Sequence, residues 1–310
     1  MSALTFLIPA ANSKQGQATA RALLRTGAGV HGLVRNPSSE AAQRLKTDGA
    51  KIFTYRDFHD FEAVRAAARG CRGLFLNLMP MPDAGEQCAG IVQAAKDAGV
   101  DFVVITTAYF TSRPDKWDER PENGRDESLV WYFNINAATE RVVRESGLRY
   151  TILRPSWIHF NYVPPVGGVV YPELAARGEL AVPHDVATVR MSHIDNEDIA
   201  AFAAAALLDP DRFAGEEIEL GNENLTAEEA RAIISKVTGR EIAVRQMTSE
   251  EIKAARDTNP PQCFQLWSSR VDVSIDGQAL QRKYGIRLTS FEEFVQREKD
   301  TFLAILPAKN

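Results

Sequence analysis

Two groups of residues in this 310-residue chain have types and spacings that could do chemistry. The first lies at the N-terminus. Phe6, Leu7 and Ile8 read as a short buried strand; a polar turn follows, then Gly16 and a helical run with Ala18, Ala22 and Leu23 on one face, closed by Gly27. Strand, tight turn and helix in that order open a dinucleotide-binding βαβ unit, in which free N–H groups and the positive dipole end of the helix face a pyrophosphate. In register with Gly16, the glycine pattern G-x-x-G-x-x-G would put glycines at 10, 13 and 16, and the chain has Ala10, Ser13 and Gly16. The retained Gly16 is read as letting helix and strand pack closely, and the two replaced positions as those that turn the backbone and approach phosphate. Weakened or lost binding is the expectation; an ordinary strand–helix turn is the plainer reading. Arg35 ends the next strand, where an acidic side chain would read ribose hydroxyls, and a guanidinium there can pair with a 2′-phosphate. That favours NADP(H) over NAD(H), against the alternative of a solvated strand-end arginine.

The second group is Trp157, His159, Phe160 and Tyr162. Alternation along an extended segment would put Trp157 and His159 on one face. With Tyr109, Phe110 and Trp131 they could line an aromatic pocket for a flat, apolar substrate. His159 is a candidate proton shuttle, since imidazole titrates near neutrality, or else a structural hydrogen-bonder. His31 and His193 read as structural, His59 and His184 as loop residues.

The elements that must position these residues alternate along the chain. Strands are expected at 6–8, 30–34, 51–54, 73–77, 102–106 and 150–153, with helices between them, the last and longest from Ser128 to Ser146. Such alternation predicts an α/β fold, a Rossmann-type doubly wound parallel sheet whose strand ends share one ligand-binding edge. From Ser156 the pattern changes. Residues 156–185, rich in Pro, Gly and aromatics, read as loop-dominated and lying over that edge; an Ala-rich helix at 195–207 and a strand at 217–220 follow. Thr226 and Ser290 each begin a capping box. The expected division is 1–155 as the dinucleotide-binding domain, with 191–220 returning to it, and 156–190 plus 221–310 as a smaller α+β substrate-side region.

Composition narrows the classes. A net charge of −5 argues against a nucleic-acid or anionic-membrane surface. Cys71, Cys88 and Cys263 are far apart, without disulfide framework or zinc spacing, so no metal is expected. No leader and no membrane span is evident, and a cytoplasmic location is expected.

Several stretches resemble the NmrA-like family of atypical short-chain dehydrogenases/reductases: KQGQATARALL from Lys14, GLVRNP from Gly32, RESGLRYTILRPSWIHFN from Arg144, MSHIDNEDIAAFAAAAL from Met191, LTAEEARAIISKVTGREI from Leu225 and KYGIRLTSFEEFV from Lys283. The resemblance covers nearly the whole chain. It implies dinucleotide contacts from Ala10, Asn12, Ser13, Gln15, Gly16, Arg35, Asp57, Asn77, Thr106 and Pro155, with Asp57 toward the adenine edge. It implies Tyr132 as proton donor and places Thr107 near a substrate carbonyl. Short-chain dehydrogenases carry Tyr-x-x-x-Lys, both groups on one helix face; here the segment is Tyr132-Phe-Asn-Ile-Asn136. Asn136 can hydrogen-bond a ribose but supplies no charge to lower the tyrosine pKa from about 10. Tyr132 could equally belong to an aromatic cluster with Trp131 and Phe133. Three functions follow from the resemblance and its departures: an NADPH-dependent reductase of a hydrophobic metabolite, a redox-neutral isomerase, cyclase, dehydratase or aldol-type enzyme, and an NADP-sensing regulator with a protein partner.

Overall fold

The computed structural model describes residues 4–118, 126–256 and 258–308. Its strands are β1 (Thr5–Ile8), β2 (Gly29–Val34), β3 (Lys51–Thr54), β4 (Gly73–Asn77), β5 (Phe102–Thr106), β6 (Arg149–Pro155), β7 (Trp157–Ile158), β8 (Glu179–Val182), β9 (Met191–Ile194), β10 (Glu217–Leu220), β11 (Glu223–Leu225) and β12 (Ala243–Gln246). The chain divides into two compact units. The first comprises 1–112, 132–155 and 196–219; the second comprises 113–131, 156–195 and 220–310. The returning segment is therefore 196–219, against the 191–220 expected, and β9 belongs to the second unit.

In the first unit a seven-stranded sheet runs β10-β6-β5-β4-β1-β2-β3, parallel as the alternation implied. Its central strands are continuous apolar runs because helices cover both faces. Every residue of β5 is buried, as are the first four of β4. Leu7, Leu33, Leu74, Leu76, Val103, Ile105 and Ile152 share one core with Ile91 and Val92, each worth roughly 1.5–3 kcal/mol on full burial. The helix Asn196–Leu208 is buried almost all round and packs against the helix Lys14–Arg25. Alanines permit that approach because they project so little beyond the backbone. Arg154, on β6, is nearly fully buried beside Glu140, which is equally buried on the helix Glu127–Glu145.

The second unit holds a three-stranded sheet, β11-β9-β7, and the parallel pair β12-β8. Its core is aromatic: Trp157, Tyr162, Tyr171, Phe291, Phe294 and Phe302. Residues 156–185 are not loop-dominated as expected. They form β7, a 3-10 turn at His159–Tyr162, the helices Gly167–Val170 and Pro172–Arg177, and β8. The second helix has Pro172 at its start and Gly178 past its end with φ 67°, the two positions those residues favour. Among the described residues no helix is long and apolar enough to cross a membrane.

Candidate functional site

In the first unit, β1 runs into the turn that the damaged glycine motif occupies. Ala10 sits there at φ +50°, in the left-handed region, and shares that property among non-glycine residues only with Phe110 among those described. A left-handed residue is what the lost glycine would have supplied. The turn is closed by the Ser13 N–H, which donates to the Ala10 carbonyl at 2.8 Å. Ser13 itself needs no glycine: its φ is −71° and it is the N-cap of the helix Lys14–Arg25, its Oγ accepting the Gly16 N–H at 3.0 Å. Gly16 is required for a reason other than the expected helix–strand packing. A Cβ there would stand 2.5 Å from the Ala10 carbonyl oxygen and 3.0 Å from Ser13 Oγ. The glycine is fixed by the turn itself. The helix has no acidic residue in its first turn, so nothing there repels an anion.

Three of the anticipated dinucleotide contacts meet. Asn77 Nδ2 donates to Thr106 Oγ1 (2.7 Å) and to Gln15 Oε1 (3.1 Å), and the Thr106 hydroxyl donates to Gln15 Oε1 (2.8 Å). The ends of β4 and β5 are thereby tied to the start of the first helix. Gln17 Nε2 donates to the Asn12 carbonyl at 3.0 Å, bracing the turn from behind. Arg35, one residue past β2, is exposed. Asp57 is exposed too, and its carboxylate accepts the His59 N–H at 2.9 Å, an ordinary local turn. Between these two in sequence stands Tyr55, which the reading above missed. It is buried, and its phenol pKa is raised chiefly by burial, with the positive charge of Arg35 opposing and Asp57 reinforcing.

The catalytic candidates of this unit are engaged with their own scaffold. Tyr132 is half-buried and meets Phe133 edge-on, ring centres 5.6 Å apart. Asn136 is buried, four residues along the helix, and its Nδ2 donates to the Tyr132 backbone carbonyl at 2.9 Å. The Thr107 hydroxyl donates to Glu140 Oε1 at 2.8 Å. Glu140 belongs to a network centred on Arg154, whose Nε and Nη2 take both its oxygens at 2.8 and 2.9 Å. Arg154 also pairs with Glu217 and, at 3.2 Å, with Glu219; Arg144 bridges Glu140 and Glu217. Glu219 reaches back to the segment after β5, accepting the Phe110 N–H at 2.7 Å and so holding Phe110 at φ +60°. Pro155 closes β6 and its carbonyl accepts the N–H of Tyr109, which is buried. The carboxylates diverge: hydrogen bonds from Arg144 hold Glu217 down at about 2, while burial pushes Glu219 up. Two sequence signals announce this network: an arginine inside the apolar strand ILRP, which burial obliges to pair, and Glu217-x-Glu219 facing one side of β10.

The expected aromatic pocket is not what the second unit shows. Trp131 is 46% exposed, whereas Trp157 and Tyr162 belong to the core and Phe160 packs against it. The alternation argument fails because the extended segment ends at Ile158 and His159 starts a 3-10 turn. His159 is fully buried between Phe291 and Phe294, with Nδ1 3.2 Å from Asp195 Oδ2, and burial lowers its pKa. A side chain with no surface cannot shuttle protons to a substrate, and the structural reading of His159 holds. Asp195 also takes Arg297 Nη2 at 2.8 Å. Nearby, His193 Nδ1 lies 2.8 Å from the Met191 carbonyl, so it is the protonated nitrogen, and Nε2 accepts the Tyr162 hydroxyl at 3.0 Å. Burial pushes His193 down to about 3 and Tyr171, stacked on Tyr162 at 4.8 Å, up to about 12. These groups stay neutral and structural.

Comparison with known proteins gives the family and the fold. The profile described as the NmrA-like family matches residues 4–263. Quinone oxidoreductase 2 of Escherichia coli is 25% identical over 257 residues, 80% of this chain and 79% of that protein. An NAD(P)H azoreductase of Xenophilus azovorans is 26% identical over 200 residues, 64% of this chain and 63% of its own. Among solved structures, NmrA, a negative transcriptional regulator, in complex with NADP superposes with a TM-score of 0.75 at 16% identity, covering 96% of this chain and 95% of its own. A Citrobacter triphenylmethane reductase gives 0.75 at 21%, covering 96% and 100%. By profile over most of its length, and by fold, the chain belongs to the NmrA-like family.

Proposed function

We propose that this protein is an NADPH-dependent reductase of a hydrophobic, aromatic small molecule, with quinones the first class to test. The observation that carries the reading is the Ala10–Gly16 turn. It keeps a left-handed backbone at the first glycine position although alanine pays a steric penalty there, and strain of that kind persists where a site demands it. The residues fit a dinucleotide. The helix start after Ser13 would face the pyrophosphate, exposed Arg35 the 2′-phosphate, and the Gln15–Asn77–Thr106 triad would fix the strand ends beneath it. Bound NADPH would supply a hydride. Tyr132 would supply the proton, as a phenol with asparagine rather than an ammonium four residues along the helix. The relatives named as quinone oxidoreductase and azoreductase support a flat, conjugated acceptor.

A second reading, an NADP-sensing regulator without turnover, is favoured by one observation: Asn136, in the lysine position, carries no charge and gives its amide to the helix backbone. Calorimetric titration with NADPH and NADH, followed by NADPH consumption with a panel of quinones and azo dyes, separates the readings. NADPH bound and consumed supports the reductase. NADPH bound but not consumed leaves the regulator. No nucleotide binding overturns both.

A further inference from the structure

Hydrogen bonds at the carboxyl ends of β4 and β5 have a direction, and that direction restricts what can bind there. Thr107 is the first residue past β5; it is half-buried and gives its backbone N–H to the Leu153 carbonyl at 2.9 Å. Its one hydroxyl proton goes to Glu140 Oε1 at 2.8 Å. Glu140 has no proton to give back. Its Oε1 also takes Arg154 Nε at 2.8 Å, and its Oε2 takes Arg154 Nη2 at 2.9 Å and Arg144 Nη2 at 2.7 Å. At 1% exposure, Glu140 has no water to replace the threonine if the hydroxyl turned away.

Relative strength decides where that proton stays. A hydrogen bond to an ionised group is roughly twice as strong as one between neutral groups. Turning the Thr107 hydroxyl toward a ligand carbonyl would exchange the stronger bond for the weaker and leave a buried carboxylate oxygen short of a donor. Thr107 therefore keeps its proton on Glu140 and offers a ligand only the lone pairs of Oγ1. It does not donate to the substrate carbonyl that the family pattern puts near it. The neighbouring strand ends are arranged alike. Thr106 gives its proton to Gln15 Oε1, and Asn77, its register partner on β4, donates Nδ2 to Thr106 and Gln15, which leaves Asn77 Oδ1 as an acceptor. A carbonyl brought to this edge meets oxygen lone pairs, whereas a hydroxyl meets acceptors. The edge also lies away from the Ala10–Gly16 turn. β4 stands between β5 and β1, so two strand spacings, about 10 Å, separate Thr107 from a pyrophosphate at that turn.

We propose that Thr107 is a specificity-determining residue that selects an aromatic acceptor carrying a hydroxyl, which donates to Thr107 Oγ1. This rests on the reductase reading for the aromatic ring, and on hydrogen-bond direction for the hydroxyl. The test is calorimetric titration of the whole protein, with and without NADP⁺, so that nothing turns over. The probes are 6-hydroxy-, 6-methoxy- and 5-hydroxy-1,4-naphthoquinone in mildly acidic buffer, where a phenol keeps its proton. The 5-hydroxyl closes on its own carbonyl and has no proton to give. The 6-hydroxy compound should bind roughly five- to tenfold tighter than the other two, the size of one hydrogen bond. Thr107→Val should remove that preference, Thr107→Ser should keep it, and NADPH affinity should be unchanged in both. A threonine with a merely structural role would shift all three quinones and NADPH together. The proposal is overturned by equal binding of the three quinones, by a preference that survives Thr107→Val, or by no quinone binding at the solubility limit. A Thr107→Val loss confined to NADPH also overturns it, because the hydroxyl would then be the ribose's. If NADPH binds and no quinone is reduced, the reductase reading falls, and the binding preference still decides this proposal. If Thr107→Val fails to fold, Thr107→Ala takes its place beside the wild-type ranking.

Discussion

The side-chain amide of Asn136 donates to the backbone carbonyl of Tyr132, 2.9 Å away and one turn back on the same helix. The position that would carry a lysine ammonium therefore braces the tyrosine's backbone and brings no positive charge toward its hydroxyl. Asn136→Lys exchanges that hydrogen bond, worth about 0.5–1.5 kcal/mol, for a charge that favours tyrosinate. In a reductase, turnover should persist or rise and its pH optimum should move down. The measurement is turnover against pH, with and without NADPH, for wild type, Asn136→Lys and Tyr132→Phe. Wild-type turnover without nucleotide, undiminished in Tyr132→Phe, would sink the reductase reading in favour of redox-neutral chemistry.

Arg35 provides the second prediction. Exposed at the end of β2, it can be removed without disturbing a core. Arg35→Ala should weaken NADP(H) binding by about 1.5–3 kcal/mol, the range for a hydrogen bond to a charged group, and leave NAD(H) nearly unchanged. Equal losses for both nucleotides would remove the 2′-phosphate assignment.

A third prediction concerns the turn. For alanine the left-handed conformation costs about 1–2 kcal/mol, and a glycine there gives back about 0.4–1 kcal/mol in unfolded-state freedom. Ala10→Gly should therefore stabilise the fold by several tenths of a kcal/mol or more in urea unfolding and tighten NADPH binding. Ser13→Gly, which loses the cap on the Gly16 N–H, should cost a few tenths. Gly16→Ala should be strongly destabilising, because its Cβ would press on the Ala10 carbonyl. A neutral Gly16→Ala would show that the turn is looser than described.

The Arg154 network makes a prediction about acid. Glu217 is held down at about 2 from its ordinary 4.5 by Arg144 and Arg154. A depressed carboxylate stabilises the fold above its unfolded pKa, and the contribution is lost as pH falls through the folded value. The loss should span about pH 4.5 to 2, and Glu217→Gln should flatten that limb of an acid-unfolding curve. Glu219 is raised by burial, so its ionisation opposes folding and its protonation on acidification favours it; Glu219→Gln should therefore steepen the limb rather than flatten it. Identical curves for the two variants would contradict the assignment. Arg154→Met, which strands buried Glu140, should cost about 3–5 kcal/mol.

The sheet is legible because its central strands β1, β4 and β5 are apolar runs set between helical periods, and parallel order follows from that alternation. The short helices after Ser156 were hidden by their length, although Pro172 and Gly178 marked one of them. A third capping box stands at Thr248, completed by Glu251 three residues on as at Thr226 and Ser290, and the helix it opens is nearly as short as those after Ser156. Trp157, His159 and Tyr162 were assigned to a pocket because aromatic residues suit pockets and cores alike, and only tertiary packing distinguishes the two. The partners of Arg154 lie far along the chain, Glu217 and Glu219 more than sixty residues away, and only the folded sheet brings them alongside.

The chain passes between its two units five times, at residues 112, 131, 155, 195 and 219. No single cut separates them, so neither can be obtained by truncating the gene. During synthesis the sheet stays open along β6 until β10 emerges from the ribosome, after two segments of the second unit have already been made. Folding domain by domain behind the advancing chain, the usual course for large proteins, is closed to this one. Early fragments would expose the β6 edge, and the N-terminal two thirds of the protein should need chaperone shelter that the finished molecule does not.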